Sequence, residues 1–480
     1  MTAFRSSQSY ATQFPQLARA CQPTPVIAPQ WLAFNHALAD ELAWPSAWRD
    51  TQAGLELFAG NTLPSWVTPH ALAYAGHQFA HFVPQLGDGR ALLLTEVELD
   101  DQGQQRVDVQ LKGAGRTPFS RGGDGRSALG PVLREYLVSE AMHALGIPTT
   151  RALAAVLTGE QVQRETALPG AILTRVAASH LRVGTAQYVL HQQQFELLKT
   201  FMDYVIQRHY PHLTQADEPY LALLEEVQNR QAALIAQWMS IGFIHGVMNT
   251  DNMTLSGETI DYGPCAFMEA YHPATKFSFI DKQGRYAYQN QPAIGLWNMA
   301  RFAETLLPLL GDETTSVAQA TAVLEEFQPT YEQHYWQLMC AKIGLEFTPA
   351  AQQLVQRYLN LMQAYQVDYT LAFRVLADGD VQRAAPLFQH QDDWQLWYQD
   401  WQQQVTPQAV AQLAQRNPAY IPRNHLVERA IQEASQSGDL TYFNRLQQIL
   451  AHPYEERLGW QAELQPARPD QAVTHTFCGT

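Results

Sequence analysis

Apolar positions recur along this chain in two rhythms. In the first third they alternate or cluster in short runs: Ala91 to Leu99 (ALLLTEVEL) reads as a strand, and Val107-Asp108-Val109-Gln110-Leu111 alternates strictly and delivers Lys112 at its end. Pro131 then opens a helix whose apolar positions Val132, Leu133, Tyr136, Leu137 and Met142 have helical spacing, and Gly146 and Pro148 stop it. After a further β-rich piece that includes residues 170 to 185, the period becomes that of amphipathic helix. FELLKTFMDYVIQRHY from Phe195, the run from Leu221 to Trp238, and most of the chain from Leu296 to about 465 follow it. Residues 1 to about 70 mix aromatics, prolines and short helical pieces such as Trp31 to Leu42, and carry no recognisable chemistry. The pattern predicts an α+β protein. Residues 1–70 form an extension packed on the rest, 71–190 a β-rich lobe, and 191–480 a mainly helical lobe with a C-terminal tail.

Composition narrows the function. A chain of 480 residues with 46% hydrophobic content builds a sizeable core; length alone allows about three domains, and a two-lobed enzyme fits as well. The net charge of −15 argues against a nucleic-acid or anionic-membrane partner, each of which needs a basic field. Cys21, Cys265, Cys340 and Cys478 include no CxxC, so neither a disulfide scaffold nor a zinc ribbon is expected. The N-terminal stretch lacks the pattern of a signal peptide and no apolar run approaches a membrane span, so a soluble cytoplasmic protein is the default. There is no repeat and no low-complexity tract.

Candidate chemistry gathers in four places. A Gly-x-Gly turn at Gly87 and Gly89 precedes the first strand; alone it reads as an ordinary hairpin turn. The stretch 113–130, GAGRTPFSRGGDGRSALG, carries six glycines with Arg116, Arg121 and Arg126. Glycines let the backbone approach a polyanion and arginines pair with its oxygens, so it reads as a phosphate cradle rather than a linker. Glu135, on the helix after it, is the natural brace for Lys112, whereas Glu140 is expected to be a solvated helix carboxylate. Arg175 and Arg182 add two cations, each equally readable as a rim salt bridge. Finally His245 to Gly263, HGVMNTDNMTLSGETIDYG, reads as a hairpin that resembles a protein-kinase catalytic core. His245 and Asn252 keep the spacing of H-R-D-x-x-x-x-N, and Asp261-Tyr262-Gly263 stands where D-F-G would. The kinase base is replaced by Val247, which cannot take a proton, and a carboxylate appears instead at Asp251. A segment with the length of an activation loop follows Gly263.

Taken together, YAGHQF, QLGDGRA, LKGAGRTPFSRGGDGR, REYLVSEAMHALGIPTTRAL, HGVMNTDNM, IDYGP and a terminal Cys478-Gly479-Thr480 are similar to the selenoprotein O family, in order, over about residues 74 to 265 plus the tail. The resemblance implies a protein-kinase-like two-lobed fold that binds ATP in a flipped orientation and transfers AMP to Ser, Thr or Tyr hydroxyls of proteins. It implies nucleotide contacts from Gly87, Gly89, Arg90, Lys112, Asp124, Gly125, Arg175, Arg182 and Asp261, support of Lys112 by Glu135, Mg²⁺ or Mn²⁺ held by Asn252 and Asp261, and Asp251 as proton acceptor. With the triphosphate reversed, extra cations would neutralise the γ-phosphate. One position departs from the family pattern: Ala80 stands where its GHQFG stretch has glycine, whereas Asn417 to Asn424 keep the NPxYxxRN motif with Pro422 at a free position. Cys478 matches the place where some members carry selenocysteine; it reads as a free exposed thiol, or alternatively as a redox pair with Cys265. The alternatives to AMP transfer are uridylyl transfer from UTP, a kinase-like phosphotransferase acting on a protein or small molecule, and a catalytically dead nucleotide-binding scaffold.

Overall fold

A computed structural model describes residues 4–378, 384–389 and 391–476. Its centre is a nine-stranded antiparallel sheet. The strands are β1 (Ser6–Ser7), β2 (Ala18–Ala20), β3 (Gln30–Phe34), β4 (His70–Leu72), β7 (Ala91–Glu98), β8 (Arg106–Lys112), β9 (Ser127–Ala128), β10 (Arg151–Gln163) and β11 (Ala167–Ala177). Their order is β2-β4-β7-β8-β11-β10-β3, with β1 on β7 and β9 on β11. Two shorter ribbons stand apart, β5 (Gly76–Gln78) with β6 (His81–Val83), and β12 (Phe243–Ile244) with β13 (Ala266–Phe267). The first 70 residues, expected as a packed extension, contribute three strands to the sheet itself. Within them Trp31 to Leu42 is not one helical piece: residues 30–34 pair with β10, and only His36–Glu41 is helical, capped by the Asn35 side chain.

The strict alternation of β8 decides what faces what. Val109 and Leu111 point into an apolar layer completed by Leu38, Trp44, Phe58 and Val67 of the N-terminal stretch. Asp108, Gln110 and Lys112 therefore point to the other face. On that face lies the helix Leu129–Ala144, which carries Glu135. It ends as the sequence predicts: Gly146 adopts φ +78°, and the Ile147 N–H bonds back to the Met142 carbonyl. Glu140 is not the solvated carboxylate expected. It accepts from both Arg151 nitrogens that face it, from the Ala152 N–H and from Asn35, because β10 and the N-terminal segment close over that side of the helix.

From Val183 the chain is mainly helical, apart from residues 241–290, which hold only β12, β13 and two 3₁₀ turns, and it builds one large core running from Tyr10 to Ile421. The two helices Asn424–Ser437 and Thr441–Leu450 return to the first region and pack on the Leu129–Ala144 helix, with Tyr136 against Phe443. Among the described residues no helix is long and apolar enough to cross a membrane. Residue 478 lies outside the described residues.

Candidate active site

The segment from His245 to Gly263 is a hairpin only at its base, where the two residues of β12 pair with β13. Between them it is irregular, with a 3₁₀ turn at Thr250–Asn252. His245 is fully buried and its Nε2 bonds to the Ile260 carbonyl across the loop, so it pins the loop and takes no place in the cavity. Burial holds its imidazole below the ordinary value. Isolated bridges from Thr259 to Thr149 and from Thr254 to Arg182 tie this loop to the sheet region.

The loop, the sheet face and the glycine-rich stretch enclose a cavity of about 820 Å³, a size suited to a nucleotide. Gly87, Gly89, Arg90, Lys112, Asp124, Gly125, Glu135, Arg175, Arg182, Asp251, Asn252 and Asp261 all line it. At its centre three cations converge on one carboxylate. Lys112 Nζ lies 2.8 Å and Arg175 Nη1 2.6 Å from Asp261 Oδ1, and Arg182 Nη1 lies 2.7 Å from Asp261 Oδ2. Glu135 receives Lys112 at 2.5 Å and Arg175 at 3.2 Å. Sheet register produces this cluster: Lys112 sits opposite Leu173 and Gln110 opposite Arg175 across β8 and β11, so their side chains share a face. Burial alone would raise the Asp261 carboxyl, but Lys112, Arg182 and Arg175 overcome it and hold it well below the ordinary range.

Asp251 is placed differently. It is buried, and its Oδ1 has no hydrogen-bond partner among the described residues. Burial pushes its carboxyl up to about 6, against the pull of Arg182, whose Nη1 is spent on the Asp251 backbone carbonyl at 2.6 Å and on Asp261. Gly76 makes the approach possible, since a Cβ there would lie 2.5 Å from Asp251 Oδ1. The β5 ribbon is in turn fastened to the loop: the His77 N–H donates to Thr250 Oγ1 at 2.7 Å, and the Phe79 N–H to Asn249 Oδ1 at 3.0 Å.

The metal-binding reading fits the donor types. Asn252 donates its amide N–H to the Val247 carbonyl at 2.9 Å, which leaves its Oδ1 uncommitted by that bond, and Asn252 and Asp261 both line the cavity. Among the described residues there is no cluster of three or more His, Cys, Asp or Glu able to hold a metal ion. A two-oxygen site suits a hard ion such as Mg²⁺ whose remaining ligands are phosphate and water.

Of the three arginines in the glycine-rich loop, Arg121 and Arg126 line the cavity. Arg126 turns away from the cavity centre to the Thr24 and Pro25 carbonyls and to Glu160, and Arg116 is exposed. Asp124 is engaged by Arg164 at 2.8 Å and by the Arg126 N–H, so its carboxylate shapes the loop. Gly125 adopts φ +69°, and a Cβ there would lie 2.0 Å from the Gly115 carbonyl, so the loop can close on itself only with glycine. Three residues that the sequence reading missed also belong to the site. Asp88, buried and pushed by burial up to about 6, accepts from Gln110 at 3.0 Å, and Gln110 accepts from Arg175 at 2.6 Å. Tyr74 stacks on the Arg182 guanidinium, 4.7 Å from its ring centre. Gln110 was findable, since it lies two residues before Lys112 on an alternating strand; Tyr74 opens the YAGHQF stretch and Asp88 lies in QLGDGRA, but neither motif by itself gives the residue a role.

Comparison with known proteins places the chain in a family. Residues 5–451 match the family model described as Protein adenylyltransferase SelO. A protein of Rhizobium johnstonii named Protein nucleotidyltransferase YdiU is 52% identical over 495 residues, covering 100% of this chain and 98% of that protein. Similar proteins of the same name from Rhizobium meliloti and a Bradyrhizobium species are each 51% identical, covering 100% and 99% of both chains. With the match spanning nearly its whole length, this chain belongs to the SelO family.

Proposed function

We propose that this protein transfers AMP from ATP to Ser, Thr or Tyr hydroxyls of other proteins, using a divalent ion, Mg²⁺ or Mn²⁺. The observation that carries the reading is the pair of unlike carboxylates in one cavity. Asp261 is held ionised by Lys112, Arg175 and Arg182, whereas Asp251 is poised near neutrality with a buried oxygen that no described residue engages. A general base works best with a pKa close to the operating pH, and the two environments divide the roles of ligand and base.

In this mechanism Lys112, Arg175 and Arg182 bind and orient the polyphosphate, and Glu135 and Gln110 hold two of those cations in place. Asn252 and Asp261 would hold the ion, which when bound neutralises charge on the phosphate oxygens. Asp251 accepts the proton of the attacking hydroxyl. The oxygen of that hydroxyl bonds to the α-phosphorus, the bond from the α-phosphorus to the bridging oxygen breaks, and pyrophosphate leaves. Val247, buried at the position of a kinase base, offers no competing acceptor. The reading includes a kinase-like arrangement of a β-rich lobe, residues 71–190, on a helical lobe, residues 191–480, with the nucleotide reversed between them, in a cytoplasmic protein. The mixed fold supports it, as does the position of the cavity between the sheet and the 245–263 loop.

Parallel incubation with α- and γ-labelled ATP, metal and a protein mixture tests it. Label from the α-position should enter protein, with a mass gain of one AMP on a hydroxyl. Entry of the γ-label alone would make the protein a phosphotransferase. The relatives' name specifies no base, and an α-labelled UTP arm separates uridylyl transfer.

A further inference from the structure

Away from the glycine-rich loop, residues 270–303 form a basic stretch in this acidic chain. Between residues 270 and 303 stand Lys276, Lys282, Arg285 and Arg301 against a single acid, Asp281. The Asp281 carboxylate is occupied by the Arg285 and Tyr286 backbone N–H groups at 2.9 and 2.8 Å. Among the described residues Lys276, Lys282 and Arg285 form no ion pair with a carboxylate. Lys276 donates to the Asp281 and Lys282 carbonyls, Lys282 lies over the Phe279 ring at 3.8 Å, and Arg285 lies over Trp297 at 4.9 Å. Arg301 lies over the same Trp297 ring at 5.2 Å and meets Glu304 at 2.7 Å. The Nε of both arginines is buried without a hydrogen-bond partner. Stacking on an aromatic ring leaves the edge of a guanidinium free to pair with carboxylate.

This basic stretch adjoins the reacting end of the cavity. Tyr286 donates to Asn249, two residues before Asp251, at 2.6 Å, and Phe79 packs on Tyr286 at 5.1 Å. His77, next to the Gly76 that abuts Asp251, packs on Trp297 at 5.2 Å and on Phe82 at 4.9 Å. Ile280 lines the cavity itself. The same lip exposes large apolar side chains: Phe82 is 42%, Phe279 45% and Ile280 58% exposed. Lys276, Lys282 and Arg285, without carboxylate counter-ions and next to exposed apolar side chains, border the mouth where a hydroxyl must enter and make a recognition surface for a polypeptide.

We infer that the face formed by residues 276–285, Trp297, Arg301 and Phe82 docks the protein substrate through an acidic segment beside its acceptor hydroxyl, with apolar contact to Phe279 and Ile280. This rests on the hydroxyl-directed transfer proposed above and adds its selectivity. The test uses the full chain with ATP and metal and a pair of synthetic peptides, each centred on one Ser, Thr or Tyr, flanked by Asp and Glu in one and by Lys in the other. The acidic peptide should show a KM lower by about tenfold or more, and the preference should shrink as salt rises. The double variant K282E/R285E should reverse it while ATP affinity, measured by calorimetry, stays within about twofold. The exposed single variant K282E, with a melting curve beside it, guards against misfolding and should reduce the preference in part. Equal use of both peptides by the wild type, or a preference that survives the double reversal, overturns the inference. So does binding to phosphatidylserine vesicles, lost in the double variant, without any peptide preference. If α-label enters no acceptor at all, it is the transfer reading that falls, and the docking face with it. Label entering both peptides alike leaves the transfer standing and removes only the docking face.

Discussion

Replacing Asp251 by asparagine should make the protein more stable and nearly inactive at once. Asn is isosteric, so the tight approach of Gly76 and the Arg182 bond to the residue 251 carbonyl are kept. Burial moves the Asp251 carboxyl from 3.8 to about 6, which means that ionised Asp251 opposes folding by roughly 3 kcal/mol at neutral pH. The sign follows from proton uptake. Between those two values the folded state holds the proton more tightly than the unfolded chain, so wild-type stability falls as pH climbs through that window and is level above about 6. Asp251→Asn escapes this penalty, so its advantage should be absent below about pH 4 and complete above about pH 6. For 480 residues the unfolding entropy is on the order of 1 kcal/mol per degree, so the melting temperature at pH 7 should rise by about 3 °C. Turnover should fall by roughly 10² to 10⁴ with ATP affinity nearly unchanged, and the wild-type rate should rise with pH to a plateau above about 6. Melting curves at pH 4 and pH 7, calorimetry with ATP and a labelled-AMP transfer assay read all of this. Near-normal transfer in the variant would refute the base assignment, and an unchanged or lower melting temperature at pH 7 would refute the account of its environment.

Lys112→Met should weaken ATP binding as well as turnover, because Lys112 meets the phosphates before and during reaction, and Glu135→Gln should do the same more mildly; calorimetry beside the transfer assay separates binding from rate. Asp261→Ala leaves Lys112 and Arg175 sharing Glu135 and Arg182 without an ion-pair partner, so it should lose about 3–5 kcal/mol of stability while remaining folded, together with metal-dependent nucleotide binding. Excess chelator should reproduce the binding and activity loss but not the drop in melting temperature, and full activity under either condition would exclude Asp261 as a ligand. Gly76→Ala puts a Cβ 2.5 Å from Asp251 Oδ1 and 2.8 Å from Leu86, so turnover should fall about tenfold or more with ATP affinity kept. Ala80 adopts φ +68°, where glycine is unstrained, so Ala80→Gly should stabilise by roughly 0.5–1 kcal/mol in a denaturant titration, with activity unchanged.

Legibility in the sequence followed periodicity. The alternation of Val107 to Leu111 fixed which side chains of β8 meet the site, and the Pro131 to Gly146 pattern delivered Glu135 to Lys112. The hydrogen bonds of Arg126 to residues 24 and 25 were beyond reach, because an irregular loop has no period from which to read side-chain direction, and glycine content says only that the backbone bends. Trp31 to Phe34 misled for a related reason. Leu38, Ala39 and Leu42 are helically spaced, and nothing local shows that the residues before them pair with β10, more than a hundred positions away. Glu140 looked solvated because its partners Arg151 and Asn35 come from separate elements. The departure at Ala80 was visible as a missing glycine, but only its backbone angle gives that absence a physical cost.

The charge arrangement bears on why a divalent ion belongs in this chemistry, independently of how it would be coordinated. Among the side chains in direct ion pairs, Lys112, Arg175 and Arg182 against Glu135 and Asp261 leave one surplus positive charge, and Asp88 and Asp251 beside Arg182 reduce it when ionised. A bare triphosphate overshoots that surplus several-fold, and at short range in a poorly solvated cavity the excess is costly. A triphosphate accompanied by a divalent cation comes far closer to matching it. The same cations cannot serve Asp261 and phosphate oxygens equally, so a nucleotide that draws them away frees Asp261 as an oxygen ligand at the moment an ion is needed. Binding of the two is then reciprocal, each tightening the other by the same factor. Asp251 stays outside this exchange. It holds the one carboxylate oxygen among the buried described side chains that no donor reaches, which keeps it available for a proton when every other acid of the cluster is committed to a cation.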